Sequence, residues 1–232
     1  MLSDPIDFPL TPLADLAVTI HFAGTATDVT GHPGARCTSY LQVGDAVTAP
    51  TLPAAATMAH WYILSGIDVT AGKFAGAVAI LGDSITDGRG STTDGNGRWP
   101  DTLARRLQAD KRTAEIAVLN QGIGGNRALN DGLGPSALAR EDRDVMAQSG
   151  VRWLIVLEGI NDLGTNAPGT RDTTAQDLIA ALRRIGLFQP GPRGRPPDDQ
   201  CLDSNQRRIR CRDRYGCRHT RSAAATASAH GG

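Results

Sequence analysis

The sequence predicts an α/β domain built on a parallel sheet, and three observations carry that prediction. Short continuous apolar runs recur between residues 74 and 186: Ala77-Val78-Ala79-Ile80-Leu81, Ile116-Ala117-Val118-Leu119 and Trp153-Leu154-Ile155-Val156-Leu157. Amphipathic helical patterns lie between and after them. Each run ends in a polar segment containing glycine. Unbroken apolar runs mark strands buried on both faces. Strands that alternate with helices form βαβ units, whose strands run parallel.

The elements can be justified in order. Residues 1–73 show no long helical pattern. Residues 16–22, 39–43 and 61–64 alternate between apolar and polar side chains and are punctuated by Gly, Pro, Thr and Asp, so they read as strands of a β-rich N-terminal segment. In residues 74–186, Leu103 and Leu107 stand four apart after Trp99-Pro100. Leu138 and Val145 stand seven apart after Pro135, which suits a first helical turn. Thr173 and Gln176 form a capping box ahead of Leu178, Leu182 and Ile185, which fall on one stripe. Residues 187–232 hold nine Arg, four Asp and no Lys, and beyond Leu187 and Phe188 their large apolar residues are Leu202, Ile209 and Tyr215. That composition predicts a largely disordered tail without a strand or an amphipathic helix.

A chain of 232 residues suffices for one α/β domain or two small ones. Its formal net charge is zero, so no global charge points to nucleic acid or an anionic membrane. The Arg-rich tail reads as solvated rather than as a nucleic-acid arm. No stretch has the length and apolarity of a membrane span. The start, Met1-Leu2-Ser3-Asp4-Pro5, lacks the basic residues and apolar run of an export signal. Cys37, Cys201, Cys211 and Cys217 match no familiar zinc or redox spacing.

The chemistry is expected where the strands end, because ligands of open parallel sheets bind at the carboxyl ends of the strands. There the sequence places Gly82-Asp83-Ser84-Ile85-Thr86-Asp87-Gly88, then Asn120-Gln121-Gly122-Ile123-Gly124-Gly125-Asn126-Arg127, then Glu158-Gly159-Ile160-Asn161-Asp162. The set suits acyl transfer. Ser84 sits at a strand-to-loop turn, which exposes its hydroxyl, and a following helix start favours negative charge there. Gly125 allows close backbone approach, so its N–H can face an oxyanion, and the neutral amide of Asn161 is a donor suited to the same task. Asp83 is expected to order its own loop. Asp162 and Glu158 read as structural. Asp87, Asp94, Asn96 and Asp101 lack the spaced loop and closing Glu of a calcium-binding EF-hand.

At these residues the sequence resembles the SGNH or GDSL serine ester hydrolases. Gly-Asp-Ser-Ile-Thr is similar to the family's first block, Gly125-Asn126 to its second and Gly159-Ile160-Asn161-Asp162 to its third, in family order over residues 76–186. The pairing of Glu-Gly-Ile-Asn-Asp with Gly-Asp-Ser-Ile-Thr-Asp-Gly most resembles the bacterial subgroup of arylesterases and carbohydrate acetylesterases, many of which are exported. The resemblance implies a flavodoxin-like three-layer α/β/α fold of the SGNH hydrolase type. It further implies hydrolysis of short acyl or acetyl esters, carbohydrate-linked ones included, with Ser84 as nucleophile and Gly125 and Asn161 as oxyanion donors. Neither a metal nor an organic cofactor is implied. The Gly-x-Ser-x-Gly elbow of α/β-hydrolases does not occur.

The family's fourth element, Asp-x-x-His near the C-terminus, supplies its general base. It is not found here: the five histidines are His21, His32, His60, His219 and His230. The family's pattern stops near Gly186, so the domain is expected to be incomplete on its C-terminal side, which would leave a sheet edge unpaired. Two other readings fit the same break. One is a non-catalytic remnant that binds acylated sugar. The other is a truncated or frameshifted product of GC-rich DNA, in keeping with an Arg-rich, Cys-rich tail without lysine.

Overall fold

The computed structural model describes residues 3–24, 27–167, 169–186 and 208–213. In chain order the first strands are β1 (Ile6–Asp7), β2 (Gly31–His32), β3 (Ser39–Leu41), β4 (Ala56–Met58), β5 (Trp61–Tyr62) and β6 (Leu64–Val69). Then follow β7 (Gly76–Gly82), α1 (Ser84–Asp87), α2 (Trp99–Ala109), β8 (Ile116–Gly122) and α3 (Ala137–Glu141), which runs into a π-helical turn at Asp142–Met146. The series closes with β9 (Val151–Leu157), α4 (Ile160–Gly164), α5 (Arg171–Gly186) and β10 (Arg208–Asp213). The chain divides into two compact units, residues 1–72 with 202–232, and residues 73–201.

The unit of residues 73–201 is the predicted α/β fold, and its described residues form a three-stranded parallel sheet in the order β8-β7-β9. All seven residues of β7 are buried. Ala77, Ala79 and Leu81 face Ala137 of α3, Val145 of the π turn and Ile185 of α5, and Leu119, Leu138, Leu154 and Val156 close the margin of that core. Alanine on alternate positions of the central strand lets these helical segments lie close to the sheet.

The other two apolar runs are not buried on both faces as predicted. Trp153 of β9 remains 47% exposed, and Ile155 and Leu157 are exposed beside it. An apolar run identifies a strand but not its place in the sheet, and here β8 and β9 occupy the edges.

The connections follow from handedness. The chain steps from β7 to β8 on one side, then crosses back to β9 on the other. Right-handed crossovers in opposite directions place α2 and α3 on opposite faces of the sheet. At the start of α2 the Arg98 N–H donates to the Asp101 carboxylate at 2.9 Å. At the start of α3 Ser136 Oγ accepts from Ala139 N. α5 begins at Arg171, so Thr173 and Gln176 lie inside the helix and do not cap it. Its buried stripe is Leu178, Ala181 and Ile185, while Leu182, predicted to share it, is 40% exposed.

The described residues of the other unit form three small antiparallel sheets, β1-β10-β6, β2-β5 and β3-β4. The predicted strands near residues 39 and 61 form, whereas residues 16–22 adopt none despite their alternation. Among the described residues of this unit only Ala35 and Val47 are buried hydrophobics, too few to hold a larger sheet. Residues 208–213 lie in the segment whose composition predicts no strand, yet they form β10, with Ile209 opposite Val69 and Ile6. Arg and apolar residues alternate along Arg208-Ile209-Arg210-Cys211-Arg212, a period of two that the excess of charge conceals. Residues 187–207 and 214–232, including His219, lie outside the described residues. Among the described residues no helix is long and apolar enough to cross a membrane.

Candidate active site

The order β8-β7-β9 reverses direction between the first and third strands of the sheet, and the crevice at such a switch point is where open parallel sheets bind ligands. Ser84 and Asn161 arise on its two sides. Ser84 is the first residue of α1, one residue beyond β7, and is half-buried. The Asp83 carboxylate accepts the Ile85 N–H at 2.9 Å, so Asp83 orders the turn that carries the serine. α1 is only four residues long, so the helix dipole expected to favour negative charge there contributes little.

The loop after β8 is stitched to this turn. Ile123 N donates to the Gly82 carbonyl at 2.9 Å, and Asn120 Nδ2 donates to the Thr86 carbonyl at 2.8 Å. The approach is so close that a Cβ on Gly122 would stand 2.7 Å from the carbonyl carbon of Thr86 and 2.8 Å from Asp87 Cα. Gly122 is therefore fixed by space. Gly125, with φ of +72°, is fixed by conformation.

The loop after β9 docks onto the loop after β8 through two neighbouring side chains. Asn161, second residue of α4, donates from Nδ2 to the Asn126 carbonyl at 2.8 Å. Asp162 accepts the N–H groups of Ala128 and Leu129 at 2.8 and 3.0 Å, and is 2% exposed. The structural role expected for Asp162 is this anchor.

Beneath the three loops lies a residue that sequence reasoning missed. The Arg140 side chain is fully buried. It donates to the Gly82 carbonyl at the end of β7 (3.2 Å), to the Gln121 carbonyl near the end of β8 (2.6 Å) and to Glu158 Oε1 just beyond β9 (3.3 Å). Its Nε and Nη2 both reach Asn126 Oδ1, at 3.1 and 2.7 Å, and Asp144 Oδ2 lies 3.2 Å from Nη1. Burial lowers the guanidinium pKa from its usual value, and Asp144 and Glu158 oppose the shift. The available signal was spacing. Ala137, Arg140 and Asp144 are i, i+3 and i+7, so an arginine and an aspartate occupy the stripe that points inward.

Glu158 is the least satisfied acid of the cluster. Its Oε2 is buried and has no hydrogen-bond partner among the described residues. Burial pushes its carboxyl up to about 7, with Arg140 pulling it down and Asp83 and Asp162 adding to the rise.

Of the three predicted site residues, the structure joins Asn161 directly to the Gly125-Asn126 loop, and it ties the Ser84 turn to the same loop through Gly82, Thr86 and Asn120. Residues 73–201 contain no histidine. Among the described residues no three His, Cys, Asp or Glu side chains group as a metal site. A groove of about 420 Å³ lined in part by Leu129, Leu138, Asp177, Ala181 and Arg184 involves none of the three candidates.

Comparison with known proteins finds that the GDSL-like Lipase/Acylhydrolase family matches residues 80–217 of the 232. Among solved structures the chain is similar to a protein of the G-D-S-L family from Desulfitobacterium hafniense DCB-2, with 27% identity, 47% of this chain and 53% of that one covered, and a TM-score of 0.34. It is similar also to AlinE4, an SGNH-hydrolase family esterase, with 21% identity, 50% and 56% covered, and a TM-score of 0.36. The chain thus spans little more than half the length of these structures. No curated protein matches it.

Proposed function

Because this chain belongs to the GDSL-like lipase/acylhydrolase family, we propose that it is a serine ester hydrolase acting on short acyl or acetyl esters, carbohydrate-linked ones included. The observation that carries the reading is the Asn161 amide held 2.8 Å from the Asn126 carbonyl, on the loop that is itself stitched to the Ser84 turn. Nδ2 has two protons, and one is committed to Asn126. The other remains for a developing oxyanion, beside the N–H groups of Ser84 and Gly125. In this reading the Ser84 hydroxyl attacks the ester carbonyl, the tetrahedral oxyanion is held by these donors, and the alcohol leaves as the acyl-serine forms. Water then releases the acid.

The step without an assigned residue is removal of the Ser84 proton. No histidine lies in residues 73–201, and His219 is outside the described residues. A serine without a base is a poor nucleophile at neutral pH. Loss of a triad member leaves a residual acceleration of about 10³–10⁴ over water, from the oxyanion donors and binding. Faint turnover of an activated aryl ester is therefore expected, and efficient hydrolysis of an unactivated acetate is not. The test is p-nitrophenyl acetate hydrolysis by the purified chain, with Ser84→Ala and His219→Ala alongside. Turnover that survives Ser84→Ala refutes the serine mechanism. Efficient turnover lost in both variants makes His219 the base.

That same gap favours a second reading, in which the chain binds an acylated ligand without turning it over. Binding of a short acylated sugar with no product release, unchanged by His219→Ala, would decide for it.

A further inference from the structure

Arg140 has enough acidic neighbours to be explained as a buried charge with its counter-charges, but the distances point elsewhere. Its two shortest contacts, 2.6 Å to the Gln121 carbonyl and 2.7 Å to Asn126 Oδ1, go to neutral oxygens at the end of β8 and on the loop that follows it. The carboxylates of Asp144 and Glu158 stand further off, at 3.2 and 3.3 Å. Charge-assisted bonds to carboxylates are ordinarily the shorter ones. The guanidinium is thus seated to fit the loop, with the acids completing its shell.

What it grips is Asn126, only 1% exposed and bonded at every polar group. Oδ1 takes two N–H groups of Arg140, Nδ2 donates to the Pro135 carbonyl at 2.8 Å, the backbone N–H donates to the Ile123 carbonyl at 3.0 Å, and the backbone carbonyl accepts Asn161 Nδ2. With its side chain and its backbone N–H both held, Asn126 has little freedom to reorient its carbonyl. The plane of the Asn161 amide follows from that carbonyl. Asp162, bonded to Ala128 and Leu129, anchors α4 independently of Arg140.

We propose that Arg140 is a positioning residue for the oxyanion pocket, acting through Asn126 to orient the Asn161 amide. The proposal rests on the serine-hydrolase reading for its consequence in turnover, though not for the hydrogen-bond chain itself. Without the two-pronged grip on Asn126, α4 stays docked by Asp162 while the Asn161 amide loses its fixed orientation. Lysine at position 140 separates this from charge compensation: it keeps the positive charge beside Asp144 and Glu158, but a single ammonium cannot reproduce the planar fork.

The experiment uses the full-length chain and two readouts. The first is the side-chain amide ¹H–¹⁵N signals of Asn126 and Asn161, assigned by Asn126→Ala and Asn161→Ala. In Arg140→Lys, with a thermal transition close to that of the parent, both signals should move and Asn161 amide protons should exchange at least about tenfold faster. The second is p-nitrophenyl acetate hydrolysis, where kcat should fall about 10- to 100-fold with KM within about twofold, since misplacement by about 1 Å can cost that much. Asn161 signals and kcat like those of the parent would overturn the proposal. If Arg140→Lys does not fold, Asn126→Ala removes the acceptor of the fork together with the Nδ2–Pro135 bond while keeping the backbone carbonyl, and its Asn161 signal is judged by the same criterion. If the parent is no more active than Ser84→Ala, the serine-hydrolase reading has failed, and the amide signals still decide the role of Arg140.

Discussion

Placing a methyl group on Gly122 tests how tightly the strand end of β8 is built against the turn that carries Ser84. In Gly122→Ala the new Cβ would lie 2.7 Å from the Thr86 carbonyl carbon and 2.8 Å from Asp87 Cα, where ordinary contact begins at 3.4 Å, and closer still to Asp87 N. Every one of those atoms is backbone, so no side-chain rotation relieves the overlap. Either α1 or the end of β8 must retreat, by roughly 1 Å. Overpacking of this kind costs about 1–3 kcal/mol, occasionally more, and here the upper end is expected because the displaced turn also holds the Ile123–Gly82 and Asn120–Thr86 bonds. Native-state hydrogen exchange of the β7 amides reads the opening of this unit alone, so the loss should appear there as about 3 kcal/mol. Gly164→Ala is the control: a Cβ at Gly164, the last residue of α4, meets nothing within 4 Å, so that change should be neutral or stabilise by up to about 1 kcal/mol. A Gly122→Ala protein within about 0.5 kcal/mol of the parent would refute the close approach.

Removing the carboxylate in Asp162→Ala strands two backbone N–H groups, at Ala128 and Leu129, and should cost about 2–4 kcal/mol by chemical denaturation. Ser84→Ala should leave stability within about 0.5 kcal/mol, since Ser84 is half-buried, while abolishing whatever p-nitrophenyl acetate turnover the parent shows. Glu158 makes stability depend on pH. Its carboxyl titrates near 7 when folded against an ordinary 4.5, so the folded state holds the proton more tightly, and the stabilisation that follows is complete below about 4.5 and lost as pH rises through 7. At about 1.4 kcal/mol per pH unit the loss is at most about 3–4 kcal/mol. Glu158→Gln should remove that part of the slope, and denaturation midpoints at pH 5 and pH 8 that differ as much in the variant as in the parent would contradict the assignment.

The sequence made the sheet of residues 73–201 legible because each strand is a compact apolar run followed by a glycine-containing polar loop. Burial of the strand on both faces was read correctly for β7 and wrongly for β9, since exposure depends on neighbours that a local run does not name. Ser84, Gly125 and Asn161 stand as candidates in the sequence because each lies on the polar, glycine-containing segment that follows a strand. Arg140 could not be identified in that way. An arginine within a helix ordinarily lies on the solvated face, and only the fitted positions of Gly82, Gln121, Asn126 and Glu158 make this one an interior residue. β10 was hidden for a related reason: its period-two alternation is written in arginines, and its small strand is held by pairing with β6 and β1.

One guanidinium touching the ends of all three parallel strands also governs how the rim of the sheet can breathe. If each loop were secured separately, each could swing open on its own, and a change in one would stay local. With Gly82, Gln121 and Glu158 sharing Arg140, opening any loop strips an acceptor from a buried donor that serves the other two. The rim then behaves as a single leaf. On that geometry, opening of the rim is expected to be cooperative, with the amides of the three loops exchanging together. Altering the ligand preference of this rim would therefore require compensating changes in several loops at once, because no loop hangs on its own hinge.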